Sequence, residues 1–274
     1  MSRRSPSWRD HADRSVVVPS LPGAHEVPFL AAIGEFQGEC YRRNAFVAGT
    51  DEEVAALREL TGLGPGWSVV DVGCGDGRHL RALAAEGVAG VGVDASPALI
   101  DAGLRAAQAS GLDDLELFVG DARDLGAVIG ERLGSFDVAW SLCQGALGSS
   151  PESDPSVVEG LAAAVRPGGL VAVTLFHALC AVRHLAPGDA FDPVHLVHHQ
   201  VAEARGADDE RRRFDLWTAA YTVREAVRLL EAAGLEVSSV RGVQPGAYGR
   251  RGAGEVALDD PELLVVARRP DAAA

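Results

Sequence analysis

Val69-Val70-Asp71-Val72-Gly73-Cys74-Gly75-Asp76-Gly77 decides the fold. An apolar stretch beginning at Ser68 runs into three glycines at alternate positions, and a helical pattern opens at Arg78. Glycine permits a tight turn and lets a ligand approach bare backbone. The helix N-terminus adds oriented N–H groups. Asp94, 21 residues after Gly73, closes the next apolar run. A carboxylate at the end of a second strand is placed to hydrogen-bond a ribose diol.

Outward from this loop the pattern alternates. Ser68–Val72, Gly90–Asp94, Leu115–Val119, Phe136–Trp140 and Leu170–Phe176 read as strands, and Arg78–Glu86, Pro97–Ala109 and Ser156–Val165 as helices. Strands separated by helices of this length predict a parallel sheet covered on both faces. The tail differs. Thr222–Ala233 reads as an amphipathic helix, while Leu235–Val240 and Leu263–Ala267 are strands without room for a full helix between them, hence antiparallel. Before the loop, Pro28–Phe46 has roughly helical spacing, and Thr50 with Glu53 reads as a capping box. The expected fold is thus α/β, a Rossmann-like doubly wound sheet, mostly parallel with an antiparallel last strand. Residues 1–25 read as a flexible arm and 26–270 as one domain, with a variable segment at 177–215.

Composition narrows the function. The chain has 274 residues, of which 47% are hydrophobic, enough for a sizeable core. Its net charge of −14 argues against a nucleic-acid partner. Arg211, Arg212 and Arg213 follow Asp208, Asp209 and Glu210, a mixed run that reads as a solvated loop or strand edge. All 25 basic residues are Arg, which excludes a lysine Schiff base or a P-loop lysine. Cys40, Cys74, Cys143 and Cys180 form no C-x-x-C pair, so neither a zinc ribbon nor a disulfide framework is expected. No apolar run is long enough to span a bilayer, and no signal peptide is evident. The default location is the cytoplasm, and the default assembly a monomer or homodimer.

A dinucleotide-binding loop is the competing reading of the glycines. The G-x-G-x-G spacing departs from G-x-G-x-x-G, and Asp71, two residues ahead of Gly73, would repel a diphosphate but attract an ammonium.

The sequence resembles the class I S-adenosylmethionine-dependent methyltransferases. Asp71–Gly77 is similar to their first motif, Gly92-Val93-Asp94 to the second, Gly120–Asp124 to the third and Phe136–Trp140 to the fourth. Arg166-Pro167-Gly168-Gly169-Leu170 matches the turn into their fifth strand. The likeness covers residues 50–180, and more loosely 215–268. Cys143-Gln144-Gly145 and Asp260–Val266 are similar to a group of bacterial small-molecule members.

The resemblance implies S-adenosyl-L-methionine as cofactor and a small-molecule methyl acceptor; charge, hydropathy and the Cys and His spacings add the expectation of no nucleic acid, membrane or metal. It places Gly73, Cys74, Gly75 and Gly77 along the methionine part, with Asp71 near the ammonium. Asp94 would grip the ribose hydroxyls, Ala95 would lie by the adenine, and Asp121 and Ala122 would meet the adenine amine. Ser141 and Leu142 would pass beside the methyl. Asp121 has a second reading, as a loop cap. Arg78 or His79 would pair with the cofactor carboxylate, or sit solvated in a first helical turn. Tyr41 belongs to a lid over the cofactor, or packs.

For the chemistry itself, His177 follows the fifth strand and is the candidate general base. Gln144 is the candidate acceptor-orienting group. Each is also readable as structural. His195 and His199 stand four apart, one face of a helix if that segment is helical. That spacing suits a metal, a substrate lid or a solvent-facing helix. Two alternatives to a small-molecule enzyme stand: a protein or RNA methyltransferase, and a non-catalytic cofactor or nucleotide binder of the same fold.

Overall fold

Val69, Val70 and Val72 have no exposed surface, as expected of a strand buried on both faces. In the computed structural model, which describes residues 29–112, 115–143, 145–149 and 152–271, they form the centre of a wound sheet. The expected arm at 1–25, and Gln144, lie outside the described residues.

The chain enters through α1 (Phe29–Gln37) and two 3-10 segments, Gly38–Arg43 and Ala45–Gly49, rather than one helix to Phe46. Then come α2 (Thr50–Thr61), β1 (Ser68–Val72), α3 (Arg78–Ala84), β2 (Ala89–Asp94), α4 (Pro97–Ala109) and β3 (Glu116–Val119). The middle of the chain gives α5 (Leu125–Ile129), β4 (Phe136–Ser141), α6 (Asp154–Ala164), β5 (Val165–His177) and α7 (Ala178–Arg183). Three strands follow, β6 (Ala190–Asp192), β7 (Val197–Arg205) and β8 (Arg211–Tyr221). The chain closes with α8 (Val223–Ala232), β9 (Glu236–Val243) and β10 (Glu262–Arg268).

The parallel part runs β3-β2-β1-β4-β5. On the far side of β5, β10 lies antiparallel, in register from Leu170↔Arg268 to Phe176↔Glu262, and β9 pairs antiparallel with β10. Strand order reverses between β2 and β4 about β1, the switch point where open α/β sheets bind ligands. One apolar layer joins the sheet to α5, α6 and α8 through Leu125, Leu161 and Leu230. The other joins it to α2, α3 and α4 through Leu57, Leu80 and Ile100. Among the described residues no helix is long and apolar enough to cross a membrane.

Two local readings are corrected. Thr50 does not cap α2: the cap position is Gly49, and the Thr50 hydroxyl donates to the Val47 carbonyl at 2.7 Å. A capping box does exist, at Thr222 and Glu225 ahead of α8, where the same T-x-x-E spacing recurs on an exposed end. Within 177–215, the stretch that carries His195 and His199 is strand and turn rather than helix. Its β-branched and alternating residues form an antiparallel meander, β6-β7-β8, that pairs with β5 only through Phe176↔Ala220 and His177↔Tyr221. His195 precedes β7 and His199 lies within it, so the four-residue spacing has no helical meaning. Each takes its own partner, Asp192 at 2.6 Å and Asp215 at 2.8 Å.

Candidate active site

After β1 the chain turns on Gly73, Gly75 and Gly77, all at positive φ (78°, 58° and 66°). The turn is held by main-chain bonds: Gly73 and Cys74 donate to the Val93 carbonyl at 2.7 and 3.1 Å. Asp94, at the end of β2, completes it. Its Oδ2 accepts from the Gly75 N–H at 2.7 Å and its Oδ1 from the Ser96 N–H at 2.8 Å. Each carboxylate oxygen keeps a free lone pair for a further donor. Burial pushes the Asp94 carboxyl upward, while the two N–H groups pull the other way. Ser96 caps α4, with Pro97 in its first turn, so Asp94 is not needed as the cap.

A Cβ on Gly73 would stand 2.2 Å from the Gly145 carbonyl carbon. Two backbones meet there, the loop after β1 and the loop after β4, and only glycine fits. A cavity of about 1090 Å³ opens in front of them. Gly73, Gly75, Asp94 and Ala95 form its floor, and Asp121 and Ala122 its flank. The N-terminal segment covers it through Tyr41, whose hydroxyl would lie 3.2 Å from a Cβ on Gly75. Arg42 fastens that segment to the core, donating to the buried Asp76 at 2.9 Å and to the Ala102 carbonyl at 2.6 Å. The opposite wall comes from the meander: Val197, Glu203, Asp215 and Trp217.

Several expected site residues stand elsewhere. Ser141 and Leu142 are buried and do not line the cavity; the next positions, Cys143 and Gly145, do. Cys74 and Gly77 lie behind the loop, Cys74 in the core and Gly77 against Leu117. Asp71 is 1% exposed, below the loop, with His79 Nδ1 3.9 Å away. Burial, aided by the charges of Asp94 and Glu53 and opposed by Arg78, pushes its carboxyl up to about 7. His177 is 2% exposed and outside the cavity wall. Its ring donates from Nδ1 to the Asp260 carbonyl at 3.0 Å, which ties β5 to the chain ahead of β10. The reason is its register: β5 runs past the end of β4, and there the His177 main chain pairs with Tyr221 of β8 and donates to the Pro261 carbonyl at 2.9 Å. It is not placed to meet an acceptor. Asp121 lines the cavity and also caps the 3-10 turn at Ala122–Asp124, with Arg123 pinned on its carboxylate at 2.9 Å. The bond from Arg123 holds that carboxyl below its ordinary value, against some burial.

Arg78 does not face the cavity. It turns inward to Glu53, a residue read from sequence only as a helix cap. Glu53 has no exposed surface and accepts from Arg78 (2.6 Å), from the Gly246 N–H (2.7 Å) and from His79 Nε2 (2.8 Å). Burial alone would raise its carboxyl; the His79 bond, the His79 and Arg78 charges and the Gly246 N–H bring it down to about 2. One carboxylate thereby joins α2, α3 and the loop after β9. A signal was available: Glu53, Leu57 and Thr61 recur at four-residue spacing, the buried face of α2. Cys143 completes the cluster, its sulfur 3.1 Å from an Arg78 nitrogen and 3.1 Å from the Tyr248 hydroxyl. Glu53, His79 and Cys143 offer metal-ligand atoms within 4.8 Å of one another. The Arg78 guanidinium already bonds two of them, so a metal would have to displace a buried cation.

Comparison with known proteins agrees with this geometry. Residues 69–169 match the methyltransferase domain family. No curated protein matches the chain by sequence. Among solved structures, the CcbJ methyltransferase from Streptomyces caelestis is 17% identical with a TM-score of 0.69, over 87% of this chain and 98% of that one. An S-adenosylmethionine-dependent methyltransferase from Clostridium acetobutylicum is 12% identical with a TM-score of 0.62, over 84% and 94%. The [4+2]-cyclase SpnF is 18% identical with a TM-score of 0.56, over 81% of each chain. At these identities the structures share the fold. Residues 69–169 are thus similar to the methyltransferase domain family, and the strand order around them is Rossmann-like.

Proposed function

We propose that the protein transfers the methyl group of S-adenosylmethionine to a small-molecule acceptor held between the glycine loop and the β7–β8 meander. The observation that carries this reading is the cavity itself. Sites for a single drug-sized ligand run to about 300–1,000 Å³. At about 1090 Å³, walled by cofactor-loop backbone on one side and by Trp217 and Asp215 on the other, this one suits two ligands together. A pocket covered by the chain's own N-terminal segment favours a compact acceptor over a folded protein or an RNA. The net charge of −14 adds to the case against RNA.

The residues fit the cofactor. Gly73 and Gly75 leave a cradle that a Cβ would fill, Asp94 keeps lone pairs for two ribose hydroxyls, and the buried Asp71 Oδ2 has no hydrogen-bond partner among the described residues. In this reading Ala95 lies along the adenine, Asp121 and Ala122 meet its amine, and Tyr41 closes over the loop. The bound sulfonium supplies a methyl already activated for in-line displacement, so the protein's work is orientation and exclusion of water. Among the described residues the cavity wall has no histidine. A proton leaving the acceptor would pass to a carboxylate such as Glu152 or Asp215, or to solvent, and His177 would serve only to fix β5.

A second reading, a cofactor-fold protein with other chemistry, draws on the [4+2]-cyclase among the structural neighbours. Calorimetry against S-adenosylmethionine and NAD tests the cofactor; binding of NAD alone would reject the proposal. Incubation with methyl-labelled cofactor and fractionated small molecules, protein and RNA tests the acceptor. Label only in a macromolecular fraction would reject the small-molecule assignment.

A further inference from the structure

The loop after β4 carries part of the cavity wall and is fastened by a closed ring of hydrogen bonds. The Gly148 N–H points between the two carboxylate oxygens of Asp154, at 3.0 and 3.1 Å. The Tyr221 hydroxyl donates to Asp154 Oδ2. Two residues back along β8, the Ala219 N–H donates to the Gly148 carbonyl at 2.7 Å. The ring therefore runs from Gly148 to Asp154, to Tyr221, along β8 to Ala219, and back to Gly148. Gly148 has φ 84°, and a Cβ there would stand 3.2 Å from the Ala219 carbonyl oxygen, so the residue type is dictated by the closure.

The ring joins two segments that line the cavity on either side of it. On one side Gly145 abuts the backbone of Gly73. On the other, Trp217 lies two residues before Ala219 on β8, roughly 7 Å along the strand. Ser149 and Ser153, flanking Asp154 and Gly148, line the cavity directly. Asp154 is 1% exposed, and among the described residues no cation is bonded to it. A buried carboxylate without a counter-charge is expensive compared with an apolar residue of similar size. What this one provides is register, two acceptors for one N–H and one hydroxyl, together with a place in the first turn of α6 where the helix dipole favours an anion.

We propose that Asp154 and Tyr221 are positioning residues that lock the loop after β4 to strand β8 and so fix the acceptor wall relative to the cofactor loop. The inference rests on reading β7–β8 as the acceptor wall. The groups facing Asp154 are the Tyr221 hydroxyl from β8 and the Gly148 N–H from its own loop, with Glu225 of α8 acting on Tyr221. Burial pushes the Asp154 carboxyl up to about 6, against the pull of Tyr221 and Gly148. The clamp therefore holds near neutral pH and slackens as Asp154 takes up a proton below it.

Amide hydrogen exchange of the full chain, followed residue by residue from pH 5 to 8 and corrected for intrinsic rates, tests this. In the parent, protection at Gly148 and Ala219 should fall as pH drops through about 6. Tyr221→Phe should cut that protection about tenfold and move its fall to higher pH, because the hydroxyl helps keep Asp154 ionised. Asp154→Asn, which keeps the shape but cannot titrate, should make protection independent of pH. Affinity for S-adenosylmethionine should stay within about threefold in both. Unchanged protection in Tyr221→Phe, or a pH-dependence surviving in Asp154→Asn, would overturn the proposal, as would an equal loss across β1 and β2. Failure of the parent to bind S-adenosylmethionine would reject the functional reading instead, and the exchange data would still decide the clamp.

Discussion

The two walls of the cavity are made by different means. The wall we assign to the cofactor is backbone: Gly73 and Gly75 turn at positive φ, and Asp94 reaches in from a strand whose last four residues are buried. It stands on a parallel sheet covered on both faces. The wall we assign to the acceptor is side chain. Strands β7 and β8 pair from Val197↔Ala219 to Arg205↔Arg211, about a third of their residues are exposed, and the meander meets β5 near Ala220 and Tyr221. Such a wall changes its lining by substitution without moving a chain. The backbone wall cannot change without moving two.

This contrast predicts a ranking of damage. Gly73→Ala should be worst. It combines left-handed strain of about 1–2 kcal/mol with overpacking of about 1–3 kcal/mol, since the added methyl meets the Gly145 backbone. A fall of roughly 5–10 °C in Tm is expected, with no detectable cofactor binding by calorimetry. Near-parental stability would show that the two loops yield and that the wall is softer than its geometry. Asp94→Ala should come next. It leaves the Gly75 and Ser96 N–H groups without their acceptor and removes the proposed ribose contact, at about 1–3 kcal/mol for each bond lost. A cofactor Kd weaker by about 100-fold is expected, and unchanged affinity would remove Asp94 from the site.

Asp71 gives the third effect, and its sign separates folding from binding. Its carboxyl is raised to about 7 in the fold, so the native state holds a proton that the unfolded chain has released above about pH 4. Stability from this group is therefore lost as pH climbs from about 4 to about 7. Cofactor affinity should move the opposite way, tightening by at most about tenfold per pH unit, because an ammonium prefers the ionised carboxylate. Glu53 works in the reverse sense: held down to about 2, it contributes stability that is present above about 4.5 and lost as pH falls toward 2. Asp71→Asn should flatten both Asp71 slopes in paired melting and calorimetric pH series. Persistence of the affinity slope would place the titrating group elsewhere.

The same contrast explains what could be read from sequence. Glycines at positive φ and a carboxylate at a strand end are local features, and periodicity places them, so β1, the loop and Asp94 were legible, as was the antiparallel pairing of β9 with β10. The meander was not, because His195 and His199 fit a helical spacing as well as two separate Asp pairs. Thr50-Asp51-Glu52-Glu53 and Thr222-Val223-Arg224-Glu225 carry the same cap pattern. Only tertiary burial separates them, drawing Glu53 down to Arg78 and His79 while Glu225 stays at its helix end. His177 was placed correctly at a strand end, but periodicity does not report which strand covers it.

The smallest effect on the cofactor should come from Trp217→Leu. The indole stacks on His199 at 4.0 Å between ring centroids, and His199 pairs with Asp215 across the strands. These groups support one another, so the substitution reshapes the acceptor wall without touching the loop after β1. Sites without shared partners add to within about 0.5 kcal/mol, and the S-adenosylmethionine Kd should therefore stay within about threefold of the parent. The pattern of labelled small-molecule products is where the change should appear. A cofactor Kd weakened by tenfold or more would mean that the walls are energetically one unit. The division between a fixed backbone floor and an exchangeable side-chain wall would then be wrong at its root.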